Sequence, residues 1–154
     1  MIDQHTFRDA LGRFATGVTV VSMDTGDGPR GITVNAFLSL SLEPPLVGVS
    51  IDLSAGAHDS LALAGRYGVS VLSEGQRPLS DRFAGLDVAP EFRWERLGGS
   101  PVLTDSLVQL DCSIVTAHRT GDHTLFVGEV EHATMREGSP LLYHRGRYGM
   151  DGGI

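Results

Sequence analysis

Apolar positions recur with a helical period in three short segments of the chain, which are residues 3–15, 57–64 and 78–84. In the first segment, Phe7, Leu11 and Phe14 follow the i, i+4, i+7 spacing that places side chains on one helix face. Asp3 is expected to cap the start of this helix, and Gly17 is expected to end it in a left-handed turn. The pattern therefore predicts three short helices.

Most of the remaining chain shows the β-branched pattern of strands, interrupted by clusters of glycine, proline and aspartate. Strands are expected at residues 18–23, 31–36, 46–51, 67–72, 107–118, 124–135 and 141–148, the last with a short turn at 145–147 inside or after it. Residues 119–123 read as a hairpin connection, whereas residues 85–101 read as irregular. About six or seven strands that follow one another through short turns favour an antiparallel barrel over a parallel sheet.

The composition narrows the possible functions. The 154 residues are expected to form one domain over 1–154, with an ordinary 41% of hydrophobic residues. The net charge is −7 and all 12 basic residues are arginine, so nucleic acid is not an expected partner. The absence of lysine excludes Schiff-base chemistry and a P-loop. Any bound phosphate must be held by arginine, hydroxyl, histidine or backbone N–H groups.

Several other classes of protein and site are also disfavoured. No apolar run approaches the ~20 residues of a membrane span, and the N-terminus lacks an apolar signal core, so a cytoplasmic protein without membrane association is expected. Cys112 lies among apolar residues and reads as a small buried side chain, not a nucleophile. His118 and His123 flank one turn, but two ligands are too few for zinc, and no metal is expected.

Residues 31–50 read as a strand, a polar turn and a second strand, with Thr33, Asn35, Ser39 and Ser41 on an apolar framework. Hydroxyl groups and an amide in this setting suit a flat, polar-edged and phosphorylated ligand such as a flavin. Asn35 is disfavoured in a strand, which suggests that its amide has a partner. The competing interpretation is a hairpin whose polar side chains face water.

Two further segments carry candidate chemistry, and each has an interpretation without a ligand. Residues 54–60 place small residues before a short helix, where free backbone N–H groups can hold a phosphate. Alternatively, Asp59 or Ser60 only caps that helix. Residues 121–123 place His123 in a turn, where it can donate to a carboxamide or a developing anion. Alternatively, this turn faces solvent.

Several segments, in the same order and over most of the chain, resemble the flavin reductase family, the small components of two-component flavin-dependent monooxygenases. They are FRDALGRFATGVTVVS at 7–22, GITVNAFLSLSLEPPLVGVSID at 31–52, YGVSVL at 67–72, LSDRFAG at 79–85, LDCSIV at 110–115, GDHTLFVGEVEHA at 121–133 and PLLYHRGRYG at 140–149. The TVNAFxSxSLxPPL segment, followed by GDHxxxxGEV, is the most specific part of the resemblance.

The resemblance implies an antiparallel split β-barrel of the FMN-binding type, mainly β with a few short helices, assembled as a homodimer. It also implies an NAD(P)H:flavin oxidoreductase that reduces FMN or FAD with NADH or NADPH. The reduced flavin then diffuses to a partner monooxygenase. Hydride transfer between two stacked cofactor rings requires no strong general base, which fits a chain without an obvious acid–base pair.

The resemblance also assigns roles to residues. It implies flavin binding by Thr33, Val34, Asn35, Ala36, Ser39, Ser41, Ser50, Ile51, Asp52, Ala57, His58, Ser60 and Phe83. His123 is the implied catalytic residue, and His123 and Tyr148 face the nicotinamide. Many relatives have a basic or additional hydroxyl residue at the phosphate. Residues 55–57 offer neither here, so phosphate binding is expected to depend on backbone donors and His58.

Two alternatives share this fold. One is a flavin store or carrier without reductase turnover. The other is a pyridoxamine-phosphate oxidase-like enzyme with permanently bound FMN, which typically holds phosphates with lysine and arginine. The absence of lysine, and of arginine within residues 31–65, speaks against the second alternative.

Overall fold

The computed structural model describes residues 1–149 and shows a mainly β protein with antiparallel sheets and few helices, as expected. The helices are α1 (Gln4–Gly12), α2 (Ala57–Ala64) and α3 (Arg77–Phe83), with a 3₁₀ turn at Glu74–Gln76. The strands are β1 (Thr16–Gly17), β2 (Thr19–Thr25), β3 (Gly28–Val34), β4 (Phe37–Ser41), β5 (Leu46–Asp52), β6 (Arg66–Val71), β7 (Trp94–Leu97), β8 (Ser100–Leu103), β9 (Val108–Thr120), β10 (His123–Met135), β11 (Leu142–His144) and β12 (Arg147–Tyr148). No helix in residues 1–149 is long and apolar enough to cross a membrane.

Seven strands form one sheet in the order β3-β2-β6-β9-β10-β5-β4. Its edge strands, β3 and β4, are consecutive in the chain and are joined by Asn35 and Ala36 alone. A flat sheet of seven strands would separate its edges by about 29 Å, whereas this link spans about 11 Å. The sheet therefore curls until its edges approach each other. Every strand of the sheet contributes to the buried or partly buried cluster inside it, through Val21, Val34, Phe37, Val49, Val69, Cys112 and Phe126.

Helix α1 is shorter than the sequence pattern predicts. Its start is as expected, because the Asp3 carboxylate accepts a hydrogen bond from the Thr6 backbone N–H at 2.9 Å. The helix ends at Gly12, so the prediction that Gly17 ends it is wrong. Gly17 lies in β1, which pairs with β11. The Gly12 carbonyl accepts a hydrogen bond from the Arg145 N–H at 2.8 Å, so the C-terminal hairpin satisfies the end of the helix.

Two strand predictions are wrong in detail. Residues 85–101 are not all irregular, because β7 and β8 pair across the turn Gly98-Gly99. The polar turn expected after β3 contains β4, which pairs with β5. Residues 141–148 form a hairpin of β11 and β12 with φ values of 52° at Arg145 and 77° at Gly146, so the expected short turn lies inside the predicted strand. In each case a pairing partner turns a short segment of weak intrinsic preference into a strand.

Strand β9 buries two neighbouring side chains on opposite faces. Cys112 lies in the cluster inside the sheet, and burial raises the pKa of its thiol to about 12, so its interpretation as a buried small side chain is confirmed. Asp111 is fully buried and accepts hydrogen bonds from Ser100 at 2.6 Å, Arg66 at 2.7 Å and His132 at 2.9 Å. Burial acts to raise the pKa of Asp111, but these donors outweigh burial and lower it.

A group of metal-ligating side chains surrounds this carboxylate, which the histidine spacing did not indicate. Ligand atoms of Asp111, Glu131 and His132 lie within 4.8 Å of one another. The Arg66 guanidinium occupies the position between the two carboxylates, at 2.7 Å from Asp111 and 3.0 Å from Glu131. The group therefore forms a hydrogen-bonded ion network in which the Arg66 guanidinium supplies the positive charge that a metal ion would otherwise supply.

Candidate functional site

Two cavities lie along β3, one at its end and one at its start. At the end, the Ala36 carbonyl accepts a hydrogen bond from the Ser50 N–H of β5 at 3.0 Å. At the start, the Arg30 guanidinium lies 3.5 Å from the Ser60 hydroxyl of α2. Because strand residues advance by about 3.3 Å, about 13 Å of strand separates Arg30 from Val34 at the end of β3. The candidate site is therefore elongated and suits a long ligand.

The cavity at the end of β3, here called the α1 groove, has a volume of about 770 Å³. Its lining includes Phe7, Leu11, Phe14, Asn35, Ala36 and Ser50. Phe7 and Leu11 of α1 and Phe14, two residues after its end, are exposed, by as much as 75% for Phe14. Asn35 is exposed as well, and among the described residues only its backbone carbonyl has a partner, the Phe37 N–H at 2.9 Å. The groove thus presents an amide with free donors and acceptors beside apolar surface.

The Thr33 side chain connects β3 to α3. Its hydroxyl donates to the Ser80 carbonyl of α3 at 2.6 Å, which ties α3 to β3. The Ser80 hydroxyl lies 2.7 Å from the Tyr148 hydroxyl, and the Arg77 guanidinium sits 4.8 Å from the centre of the Tyr148 ring. Tyr148 therefore packs against α3 and supports the segment that carries Thr33.

The cavity at the start of β3, here called the aromatic groove, has a volume of about 660 Å³. Phe83, Phe92 and Trp94 form one wall, with ring centres 5.3–5.8 Å apart in tilted and edge-to-face geometry. A side chain at Gly31 would contact Phe83 at 3.0 Å, so glycine lets this ring lie directly on β3. Arg30 lies on the opposite side of the groove, against Gly56 at the start of α2.

His58 is held by contacts within the chain. Its Nε2 lies 2.8 Å from the Thr124 hydroxyl, and its Nδ1 lies 2.9 Å from the Asp59 carboxylate. The ring also packs against Phe126, with the ring centres 5.4 Å apart. Because both ring nitrogens are engaged, the cation available at the start of α2 is Arg30. The expectation that phosphate binding depends on His58 stays a prediction, with Arg30 as the stronger donor.

His123 begins β10 and lies opposite Asp52 of β5 in the sheet register. Its Nδ1 lies 2.7 Å from the Asp122 carboxylate, and its side chain is 40% exposed. The Ser54 backbone N–H and hydroxyl both donate to Asp52, at 2.8 and 2.7 Å, and lower the pKa of that carboxyl. His123 lies on β10 of the seven-stranded sheet, and Tyr148 lies on β12 of the three-stranded sheet.

The other predicted flavin ligands divide into two groups. Val34, Ile51 and Ala57 are buried at 6%, 2% and 3% exposure. Ser39 and Ser41 lie on β4 beside β5, and Phe83 lies in the aromatic groove. All of the predicted site residues remain predictions, and their positions now define which atoms each can offer.

Three residues at this surface were missed by the sequence analysis: Arg30, Phe92 and Trp94. Arg30 lies one residue before the segment 31–65, which contains no arginine. Antiparallel pairing of β2 with β3 turns its side chain towards α2. Trp94 lies on a hairpin for which the Gly98-Gly99 pair between two short apolar stretches was an available signal.

Comparison with known proteins places this geometry in a family. The family model described as "Flavin reductase like domain" matches residues 11–150. The chain is 44% identical over 147 residues to an NADH-dependent flavin reductase of Rhodococcus sp, covering 92% of this chain and 82% of that protein. It is 43% identical over 149 residues to the FMN reductase (NADH) SmoA of Agrobacterium fabrum, with coverage of 96% and 86%.

A third relative and two solved structures agree. The chain is 37% identical to HsaB of Mycobacterium tuberculosis, named as a reductase subunit of a flavin-dependent monooxygenase, with coverage of 96% and 82%. It superimposes on the flavin reductase PheA2 with a TM-score of 0.93, 43% identity and coverage of 96% and 97%. It superimposes on Streptomyces globisporus SgcE6 in complex with NAD and FAD fragments with a TM-score of 0.89, 35% identity and coverage of 98% and 94%. The resemblance found in the sequence is thereby confirmed, and the chain belongs to the flavin reductase like domain family.

Proposed function

We propose that this protein is an NADH-dependent flavin reductase that reduces FMN or FAD and supplies the product to a partner monooxygenase. The observation that carries the proposal is the arrangement along β3, with the exposed Asn35 amide at one end and the Arg30 guanidinium at the other. These groups suit a ligand with a polar-edged ring and a phosphate. Relatives named as NADH-dependent flavin and FMN reductases support the choice of reaction.

The chain's residues bind and orient the reactants, and a bound flavin supplies the hydride-accepting chemistry. Asn35 can donate to and accept from a ring edge, while the apolar α1 groove excludes water from the ring faces. Arg30, Ser60 and backbone N–H groups at the start of α2, which no side chain caps, are the donors that we expect for a phosphate. We expect His123 to donate to a nicotinamide carboxamide, and Asp52, whose carboxyl pKa is lowered, lies opposite it in the sheet register.

We also propose that residues 1–154 form one split-barrel domain that works as a homodimer. Support for the barrel comes from the two-residue link between the edge strands. Support for the dimer comes from the N-terminal segment, because no residue of α1 is buried, and Phe7 and Leu11 of α1 and Phe14 just after it are all more than half exposed. A second copy would cover these side chains. The cytoplasmic location stays a prediction.

Anaerobic oxidation of NADH and NADPH, followed with no flavin, with FMN and with FAD, tests the proposed function. We expect NADH oxidation that requires added flavin and bleaches its absorbance. A carrier would bind flavin without oxidising NADH. An enzyme with permanently bound FMN would hold its flavin through gel filtration and would react without addition. Either of these outcomes would contradict the proposal.

A further inference from the structure

Ser80 of α3 is a buried polar residue to which neither the sequence pattern nor the proposed reaction gives a role. Its exposure is 0%, and burial of a hydroxyl costs free energy unless the hydroxyl has a hydrogen-bond partner. The partner is the Tyr148 hydroxyl of β12, which lies 2.7 Å away. Because the two residues are 68 positions apart in the chain, only the tertiary structure brings them together.

The backbone carbonyl of Ser80 has a second partner, which lies on β3. It accepts a hydrogen bond from the Thr33 hydroxyl at 2.6 Å. Two atoms of one residue therefore contact two predicted cofactor residues, Thr33 for the flavin and Tyr148 for the nicotinamide. A substitution that removes the serine hydroxyl keeps the carbonyl, so the two contacts can be separated by mutation.

Three contacts restrict the orientation of the Tyr148 ring. The Ser80 hydroxyl holds the phenol oxygen, and the Arg77 guanidinium lies 4.8 Å from the ring centre. The Tyr143 ring packs against the Tyr148 ring in edge-to-face geometry, with the ring centres 5.3 Å apart. Tyr148 is nevertheless only partly buried, so part of its side chain remains accessible to a ligand. A side chain that is held in one orientation before binding loses less conformational freedom when a ligand packs on it.

We propose that Ser80 is a positioning residue for the nicotinamide, because its hydroxyl holds Tyr148 in the orientation that binds NADH. The inference rests on the proposed function and on the predicted role of Tyr148 at the nicotinamide. Ser80 is fully buried and acts through Tyr148 without contacting either cofactor. In this arrangement α3 supports the flavin strand through one atom of Ser80 and the nicotinamide residue through another.

Ser80→Ala removes the hydroxyl and leaves the Thr33 contact in place. We expect the dissociation constant for NAD⁺ and the KM for NADH to rise by about 3- to 10-fold, as for the loss of one neutral hydrogen bond. Calorimetry on flavin-saturated protein measures NAD⁺ binding without turnover, because NAD⁺ has no hydride to transfer. The flavin dissociation constant and kcat should remain unchanged, since the substitution removes only a binding contribution.

Tyr148→Phe tests whether the two hydroxyls act as one unit, because it removes the phenol oxygen and keeps the ring. We expect Tyr148→Phe to weaken NAD⁺ binding by the same factor as Ser80→Ala. The double variant should bind NAD⁺ no more weakly than either single variant, because all three lack the same hydrogen bond. Effects that multiply in the double variant would show that the hydroxyls act separately and would overturn the proposal.

Ser70→Ala is the matched control for a loss of stability alone. Ser70 is also 0% exposed, and its hydroxyl accepts a hydrogen bond from the Leu103 N–H at 2.9 Å, between β6 and β8. Both serine substitutions should lower the free energy of unfolding, but only Ser80→Ala should weaken NAD⁺ binding. Equal weakening by Ser70→Ala would assign the effect to general stability and overturn the proposal.

Failure of this inference differs from failure of the proposed function. If Ser80→Ala does not fold, Tyr148→Phe alone decides, because it alters a partly exposed side chain. Unchanged NAD⁺ binding and an unchanged KM for NADH in Tyr148→Phe would overturn the positioning role while flavin reduction continued. Absence of NADH oxidation by the unaltered protein with either flavin would contradict the reductase function itself.

Discussion

The buried carboxylate of Asp111 should make a large contribution to stability, because four groups of the chain donate to it. Ser100, Arg66 and His132 donate at 2.6, 2.7 and 2.9 Å, and the Gly99 N–H donates at 3.3 Å. Asp111→Asn removes the negative charge of the carboxylate. It also replaces one accepting oxygen by an NH₂ group, which is a donor and faces the donors of the network. Removal of one partner of a buried ion pair costs about 3–5 kcal/mol.

The cost of Asp111→Asn should fall at the lower end of that range. The Arg66 side chain is 30% exposed and keeps its pair with Glu131 at 3.0 Å, so it is not left buried and unpaired. We therefore expect a loss of about 3 kcal/mol in the free energy of unfolding at pH 7. For a protein of this length, that loss corresponds to a fall in Tm of about 6–12 °C.

The stabilisation of the fold by the Asp111 carboxylate should decrease in acidic solution. Because the folded-state pKa of Asp111 is lowered from its ordinary value of 3.8, the stabilisation is complete above that value. It is lost as the pH falls below 3.8 through the lowered folded-state pKa. The difference between the unaltered protein and Asp111→Asn should therefore be constant from pH 7 to about 5 and should shrink in more acidic solution.

Urea unfolding followed by circular dichroism, without added flavin and at one protein concentration, measures this difference. Asp105→Asn is the matched control, because Asp105 is 78% exposed and its pair with Arg136 should contribute less than about 1 kcal/mol. If Asp111→Asn unfolds within about 0.5 kcal/mol of the control at pH 7, the network does not stabilise the fold as argued.

Three further predictions concern the flavin, the nicotinamide and the assembly. Asn35→Leu should weaken flavin binding about 5- to 100-fold, or ~1–3 kcal/mol, because a ring-edge hydrogen-bond pair is lost; an unchanged dissociation constant in a folded variant would place the ring elsewhere. His123→Ala should lower kcat/KM for NADH about 10- to 100-fold, or ~1.4–2.7 kcal/mol, with little change in flavin affinity. Weaker flavin binding in titrations, together with an unchanged kcat/KM for NADH in steady-state assays, would refute that role. Sedimentation equilibrium should show a dimer of the 16.4 kDa chain, weakened by Phe14→Ser; a monomer at micromolar concentration would contradict the assembly.

Local chemistry was sufficient to predict most elements of this fold. The capping carboxylate of Asp3, the β-branched strands and the 119–123 turn each act over a few residues, and the structure shows the expected cap and the expected hairpin. The family could be predicted as well, because its motifs are contiguous stretches of sequence. Strand pairing could not be predicted from neighbouring residues. β4 and β7 are short, and the decisive contribution to each is a partner strand that adjacent residues do not specify.

The same distinction applies to the candidate site. Asn35, Ser50 and His123 lie in the motifs that revealed the family, so the sequence by itself indicated a flavin and a nicotinamide. The position of Arg30 beside α2, the aromatic wall on Gly31 and the buried Asp111 network depend on distant contacts. Arg30 with Gly56, Gly31 with Phe83 and Arg66 with Asp111 are 26, 52 and 45 positions apart in the chain. Such contacts form only when the curled sheet brings distant segments together. Tertiary structure therefore decided which cation and which aromatic rings line the groove beside α2.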